Sequence, residues 1–442
     1  MNRHRPVWAL HVLIVGLAVH NLVMSTLWRA GVRGGVLTAI SAWKDVLLLV
    51  ALVLVYSGRR GLPRPTTWAD RLGLAFGVLV VVYGVLPQSW LGGAATHKGV
   101  LYAARHDLLI VGAYFLGRGL ALTEAERSRV CKTVLATAAF VAVFGLLDVY
   151  LVPLAYWRHS AGWFQHQLGL TYVGLSHLPE NFVYNAGGGV VFRRLTSTFL
   201  SPLAAAYLLV VAMFFIPLRS RVGLALGVLF FAAILWTHTR AAIIALVAAM
   251  LLLAAVQRRW RLVGFAVAIV AISLAFVKGY DHFAPRTHFT ATELKEQERN
   301  AREHPAVSHD PTAANESSTS EHLASLRDGA KAVVRHPWGY GLGNAGVTAE
   351  RTHVRLRAGE STYTELGVET GLLGALTFAA WCLVLLVGAL RTRPWLGAAF
   401  AAVLVLGLQT DVLGVPWLAY VLWALAGSSQ RFSNDLSTER LS

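Results

Sequence analysis

About twelve apolar runs, each roughly 17 to 25 residues long, follow one another along a chain of 442 residues. A run of that length covers roughly 30 Å as a helix, the thickness of bilayer hydrocarbon, and there every backbone group must be satisfied inside the element itself. The pattern therefore predicts membrane-spanning helices. The runs lie at about 7–27, 36–56, 72–90, 99–119, 133–153, 198–217, 222–237, 241–256, 262–279, 363–390, 395–412 and 414–428, the seventh, eighth and twelfth being short. Composition removes the competing classes. Hydrophobic residues make up 56% and charged residues 14%, too few charges to cover a soluble fold and too much apolar content for a disordered chain. Two cysteines make no disulfide framework, and Cys131 beside a basic loop and Cys382 inside an apolar run are expected as free thiols. Met1 to Arg5 before the first run resembles the opening of a signal peptide, but the run is long and has no A-x-A site, so it reads as an uncleaved span.

The net charge of +16 suggests nucleic acid in a soluble chain, but here it is placed where topology needs it. The short connections on one side carry Arg3, Arg5, Arg59, Arg60, Arg64, Arg71, Arg118, Arg127, Arg129, Lys132, Arg219, Arg221, Arg258, Arg259, Arg261, Arg391 and Arg393, with Arg431 and Arg440 in the tail. Those on the other side hold only Arg29, Arg33, Lys98 and Arg240. Both termini are thus expected in the cytoplasm of a multi-pass plasma or inner membrane protein with no nucleic-acid partner. Two long loops, at about 154–197 and 280–362, then face outwards. This divides the chain into spans one to nine (1–279), an outer loop domain (280–362), and spans ten to twelve with a tail (363–442).

Long loops escape the positive-inside rule, so their arginines are available for another role. Within the second loop, residues 303–320 are polar and aperiodic. Ser320 then caps an expected helix to Arg335, stopped by Pro337. Leu323, Leu326, Ala330 and Val333 would form its apolar face, and Arg327, Lys331 and Arg335 a cationic one.

An enzyme outside the cytoplasm has no ATP, so its donor must arrive activated, and a polyprenyl-pyrophosphate glycan meets that need. Arginine is the expected reader, because its planar fork matches phosphate oxygens and keeps its charge when partly desolvated. Arg193 and Arg194 precede the sixth run, and Arg240 sits in THTRAAIIAL. Structural ion pairing or snorkelling to headgroups is the alternative for each. The segment HPWGYGLGNAG (336–346) has glycines whose loop could bring backbone N–H groups to a phosphate or sugar, although it is neither a P-loop nor a dinucleotide fingerprint. Glu360, Glu365 and Glu369 lead into the tenth run. Glu360, ahead of the helix, is the better base candidate. The other two can pair or hydrogen-bond within the bundle. Lys44, Asp45, Arg105, His106 and Asp107 fall inside runs and need partners between helices or a polar cavity. No HExxH, CxxC or other ligand spacing occurs, so neither metal nor cofactor is expected.

Four segments in order resemble the O-antigen ligase and polysaccharide polymerase superfamily of integral membrane glycosyltransferases. Residues 194–202 read RLTSTFLSP, close to the R-L-x-G-x-F-x-x-P pattern, with Ser197 in place of glycine. Thr239-Arg240-Ala241 is similar to S-R-[GA]. Arg327, followed by His336 to Gly343, resembles an arginine-bearing helix leading into h-P-x-x-G-x-G-x-G. Residues 360–374 read ESTYTELGVETGLLG, similar to H-N-x-Y-L-x-x-L-x-E-x-G-L-x-G, with Glu360 in the histidine position.

The resemblance implies an all-α polytopic protein of about twelve spans with a large extracytoplasmic loop between the ninth and tenth, a GT-C-like architecture. It also implies transfer of a glycan from a polyprenyl pyrophosphate to an acceptor hydroxyl on a glycan, lipid or protein. By position, Arg194 and Arg240 would hold the pyrophosphate, with Arg193, Arg327 and Tyr363 as further substrate-binding residues. Glu360 would be the base, with His353, seven residues earlier, as its substitute. Glutamate there leans towards the polymerase type. A transporter or flippase of anionic glycans or lipids would also use arginines and intramembrane charges, but no repeat is visible and the candidates cluster in outer loops rather than at mid-membrane. A non-catalytic assembly scaffold would tolerate loss of Glu360 or Arg240.

Overall fold

The computed structural model describes residues 5–57, 65–158, 162–169, 178, 181–185, 190–217, 219–288, 291–303 and 317–430. Outside them lie most of the polar stretch at 303–320, the tail from 431 with Arg431 and Arg440, and Arg3, Arg59, Arg60 and Arg64. The helices of the first half are α1 (Val7–Arg29), α2 (Gly34–Ser41), α3 (Trp43–Ser57), α4 (Trp68–Val85), α5 (Gln88–Leu91), α6 (His97–Leu120), α7 (Glu124–Leu151) and α8 (Leu154–Arg158). Strands β1 (Val183–Asn185) and β2 (Val190–Arg193) precede α9 (Pro202–Met213), α10 (Arg221–Trp236), α11 (Arg240–Gln257) and α12 (Arg261–Gly279). After β3 (Arg286–His288) come α13 (Ala291–Glu303), α14 (Ser317–Arg335), α15 (Gly346–Arg351), α16 (Thr362–Thr392), α17 (Pro394–Leu406) and α18 (Trp423–Ser429).

Among the described residues, eight helical stretches are long and apolar enough to cross a membrane: α1, α2 with α3, α4, α6, α7, α11, α12 with the turn after it, and α16. Four shorter apolar helices, Pro202–Met213, Arg221–Trp236, Pro394–Leu406 and Leu418–Ser429, stand where the sequence puts its remaining spans. At 12 residues α9 reaches only about 18 Å, short of the hydrocarbon thickness. Leucines and valines left exposed at helical spacing, such as Val46, Leu49 and Val53 on α3, give the outward face that lipid would cover. By spatial contact the chain forms two units, one of residues 1–17, 42–134 and 326–442, the other of residues 18–41 and 135–325.

In the first unit, a capping box starts α4: Thr67 Oγ1 accepts from Asp70 N at 3.1 Å, and the Asp70 carboxylate accepts from Thr67 N at 3.0 Å. The same carboxylate takes Arg118 Nε and a terminal guanidinium nitrogen (2.8 and 3.0 Å) and the Tyr114 hydroxyl (2.6 Å), which ties α6 to α4. Arg105 binds Asp45 through two nitrogens (2.7 and 3.1 Å), as the charges inside the runs require. Cys131 and Cys382 are both free.

The apolar run that becomes α16 is broken at Gly371, whose φ is 69°. The glycine-rich segment enters that break. Tyr340 N donates to Val368 O (2.6 Å), Gly341 N to Glu369 O (3.0 Å), and Leu372 N to Pro337 O (2.7 Å). A Cβ on Gly371 would lie 2.5 Å from Pro337 O, so the close approach admits only glycine. Helix α14 begins at Ser317, one turn before the expected cap at Ser320, and ends at Arg335 before Pro337. Its packed face is also rotated from the expected one. Gly329 meets Thr364 and Val333 meets Gly367, while Leu323 and Ala330 are exposed.

Among the described residues, the second unit carries a feature that an all-α expectation misses, a three-stranded antiparallel sheet in the order β1-β2-β3. Val183 pairs with Arg193, and Phe192 pairs with both Tyr184 and Arg286, so strands from the two long loops share one sheet. Trp157, Trp163, Phe164 and Phe182 form an aromatic core with Met24, Leu37 and Leu200. Helix α9, apolar all round, is buried along nearly its whole length.

Candidate functional site

Within the second unit, the sheet delivers two adjacent arginines to opposite tasks. Arg193 forms a buried ion pair with Asp148 at 3.0 Å and also donates to the Val152 carbonyl, while Trp157 Nε1 donates to Asp148 at 2.8 Å. Burial lowers the Arg193 pKa and the Asp148 carboxylate opposes that shift. Its charge is therefore answered inside the fold, which favours the structural alternative over phosphate binding for Arg193.

Arg194 is also buried, and it grips a single turn. Its Nε donates to Thr237 O at 2.8 Å, and a terminal nitrogen reaches His238 O and Thr239 Oγ1, each at 3.4 Å. These partners are the turn that opens α11, whose first residue is Arg240. Two motif segments more than 40 residues apart thus converge on one turn, and the first arginine holds the backbone that presents the second.

Between them sits His238, at φ 50°. Its ring stacks on Tyr184 (centroids 5.7 Å apart) and meets Tyr280 at 4.0 Å and Phe276 at 5.5 Å. Burial, and next the Arg194 charge, push its pKa down to about 3, so the imidazole is neutral. Nothing in the sequence singles out His238, since a histidine beside an arginine has no diagnostic spacing. Trp236 Nε1 donates to the Tyr150 hydroxyl at 2.9 Å, and Trp236, Phe276, Tyr280 and Phe283 continue the aromatic wall. The turn therefore combines cations, a neutral imidazole and an apolar surface, a chemistry suited to an anionic headgroup on a long hydrocarbon.

In the first unit, Glu360 is exposed between buried Gly359 and buried Ser361, with φ 67°. For an L-residue this left-handed conformation costs roughly 1–2 kcal/mol. Tyr363, one turn into α16, donates its hydroxyl to Leu404 O at 2.9 Å and packs on Phe378. That hydroxyl anchors α16 to α17, which argues for a structural role over the expected contact with substrate. His353 is exposed at the end of α15 with φ 55°, its N–H on Glu350 O. Arg327 is exposed on α14, two residues from the packed Gly329. Beside it, Lys331 pairs with Asp328 at 2.9 Å, and this hydrogen bond and charge lower the Asp328 pKa.

Several N–H groups of the glycine-rich loop are spent inside the fold. Besides those of Tyr340 and Gly341, the N–H of Gly339 donates to His336 O, and that of Gly343 to the Glu369 carboxylate at 2.8 Å. Glu369 is thus the internal acceptor that fixes the loop. Glu365 is likewise buried, against Gly346. Near them Asp411, which the sequence reading overlooked, meets His106 Nε2 at 2.8 Å, and His106 Nδ1 meets Asp107 at 2.8 Å. Among the described residues no group of three or more His, Cys, Asp or Glu side chains is arranged to hold a metal ion.

Residues 225–379 match the family model described as O-Antigen ligase. The matched stretch includes Arg240, Arg327, the glycine-rich loop and Glu360, while Arg194 precedes it. The match supports the O-antigen ligase and polysaccharide polymerase superfamily, and with it an integral membrane enzyme of ligase or polymerase type in glycan transfer. No curated protein matches the chain.

Proposed function

Taking residues 225–379 as an O-antigen ligase domain, we propose that the chain transfers a glycan from a polyprenyl pyrophosphate to an acceptor hydroxyl at the extracytoplasmic face of the membrane, without a metal ion. Arg194 and Arg240 bind the pyrophosphate and Glu360 takes the proton of the acceptor. The acceptor oxygen attacks the anomeric carbon as its proton passes to the Glu360 carboxylate, and the bond from that carbon to the pyrophosphate oxygen breaks. The leaving group departs with the electron pair, and its charge is what the arginines stabilise, a contribution of roughly 3 kcal/mol per well-placed donor.

One observation carries the reading: the buried Arg194 guanidinium is bonded to residues 237–239, immediately before Arg240. Two arginines from separate segments on one turn suit the two phosphates of a pyrophosphate better than a single headgroup charge. Lipid is the aromatic wall's natural counterpart. The position of Glu360, exposed and outside the helix, supports a base that meets solvent-borne acceptors. His353 is the substitute if Glu360 proves dispensable, and Arg327 is a further cation for the glycan.

The test is the product made by purified protein from a pyrophosphate-linked oligosaccharide. A ladder of repeats identifies a polymerase, and single transfer to an added acceptor identifies a ligase. Unchanged oligosaccharide with every acceptor class removes the reading.

A further inference from the structure

A non-glycine residue stays in the left-handed region only where its surroundings over-determine it. For Glu360 those surroundings lie across the start of α16. Ser361 Oγ donates to Gly407 O at 3.1 Å, and Thr362 N donates to the same carbonyl at 3.0 Å. Thr362 Oγ1 donates to Thr410 O at 3.1 Å and accepts from Val412 N at 2.9 Å. The two residues after Glu360 are thus bound to the turn at 407–412 through both backbone and side chain.

That turn is in turn held by one carboxylate. Asp411 Oδ1 accepts from Leu413 N at 3.0 Å, folding the turn on itself, and Oδ2 meets His106 Nε2 at 2.8 Å. His106 projects from α6, and its Nδ1 meets Asp107 Oδ1 at 2.8 Å. A neutral imidazole has one N–H and cannot donate to two carboxylates, so this triad carries an additional proton, on the imidazole or on one carboxyl. Glu365 and Glu369 of α16 are the other titratable groups facing it. The proposed chemistry uses none of these buried groups.

We infer that His106 is a positioning residue: held between Asp107 and Asp411, it fixes the 407–413 turn and, through Ser361 and Thr362, the direction in which Glu360 presents its carboxylate. The inference rests on Glu360 being the base. A small error in placing a reacting group can lower a rate by about a hundredfold, so a residue that never meets substrate can still set kcat.

The experiment uses the full-length protein in detergent. His106→Gln, Asp411→Asn and Glu360→Gln are made singly and in pairs, and transfer from the pyrophosphate-linked donor is measured. His106→Gln should lower kcat by about 10- to 100-fold and leave the KM for donor unchanged. The His106→Gln, Asp411→Asn pair should be no slower than the slower single variant, as expected of one connected unit. In the Glu360→Gln background, His106→Gln should have no further effect. A second readout does not depend on catalysis. In a chain with Cys131→Ser and Cys382→Ala, the reactivity of Glu360→Cys towards a soluble thiol reagent should change several-fold on adding His106→Gln, whereas that of Leu323→Cys should not. If His106→Gln does not fold, Asp411→Ala removes the carboxylate from the other end of the same connection. Equal rate losses with and without the Glu360 carboxylate, or unchanged reactivity at position 360, overturn the inference. A fully active Glu360→Gln removes the base assignment instead, and the thiol measurement alone then decides the positioning.

Discussion

A guanidinium that donates to backbone carbonyls keeps its full charge, so Arg194 acts as both a strut for the α11 turn and a source of positive potential at it. Lysine preserves the charge and loses the fork. Arg194→Lys and Arg240→Lys should each lower transfer about 10- to 100-fold, the value of one or two charge-assisted hydrogen bonds, at unchanged expression. Near-normal turnover in both would mean that neither grips a phosphate. His238 gives a pH test of the same turn. Its pKa is near the ordinary 6.5 when the chain is unfolded and about 3 in the fold, so between these values the unfolded chain binds a proton that the native state does not. The stability present above pH 6.5 is therefore lost progressively as pH falls towards 3, and in His238→Phe the thermal midpoint should fall less steeply between pH 6.5 and 4. Parallel slopes would mean the imidazole is not buried as described. The sequence revealed Arg194 and Arg240 because each stands at a recognisable motif. It could not separate Arg193 from them, since the partner that claims Arg193, Asp148, lies in a distant helix with nothing local to announce the pair.

At the scale of elements, the start and the break of α16 position the site. Hydropathy reads residues 363–390 as one continuous helix, because Gly371 interrupts the hydrogen bonds without interrupting the apolar run. The glycines of 336–346 are legible as a tight loop, but their destination is not, since the acceptors at Val368 and Glu369 exist only once the helix is broken. The small sheet is invisible for a similar reason, its strands of three and four residues being too short for alternation to register. Gly371→Ala places a Cβ against Pro337 O in a left-handed conformation and should destabilise the protein by about 1–3 kcal/mol, read as a lower thermal midpoint in detergent. An Ala variant as stable as the parent would mean that the loop does not enter the helix.

At the scale of the whole molecule, the apolar runs gave the membrane class and the order of the spans, because hydrocarbon thickness fixes helix length independently of packing. Sidedness rests on the positions of lysine and arginine. In a cysteine-free background, Leu323→Cys should react with an impermeant thiol reagent added to intact cells, and Arg258→Cys should not; the reverse would put the Glu360 chemistry on the wrong side. The decisive comparison is between moving a bond and moving a molecule. With purified protein in proteoliposomes and a polyprenyl-pyrophosphate oligosaccharide, the account predicts that free polyprenyl pyrophosphate appears in step with glycosylated acceptor, and that Glu360→Gln slows both by about 10²- to 10⁴-fold. Translocation of intact lipid-linked oligosaccharide, with no pyrophosphate released and no dependence on Glu360, would contradict it.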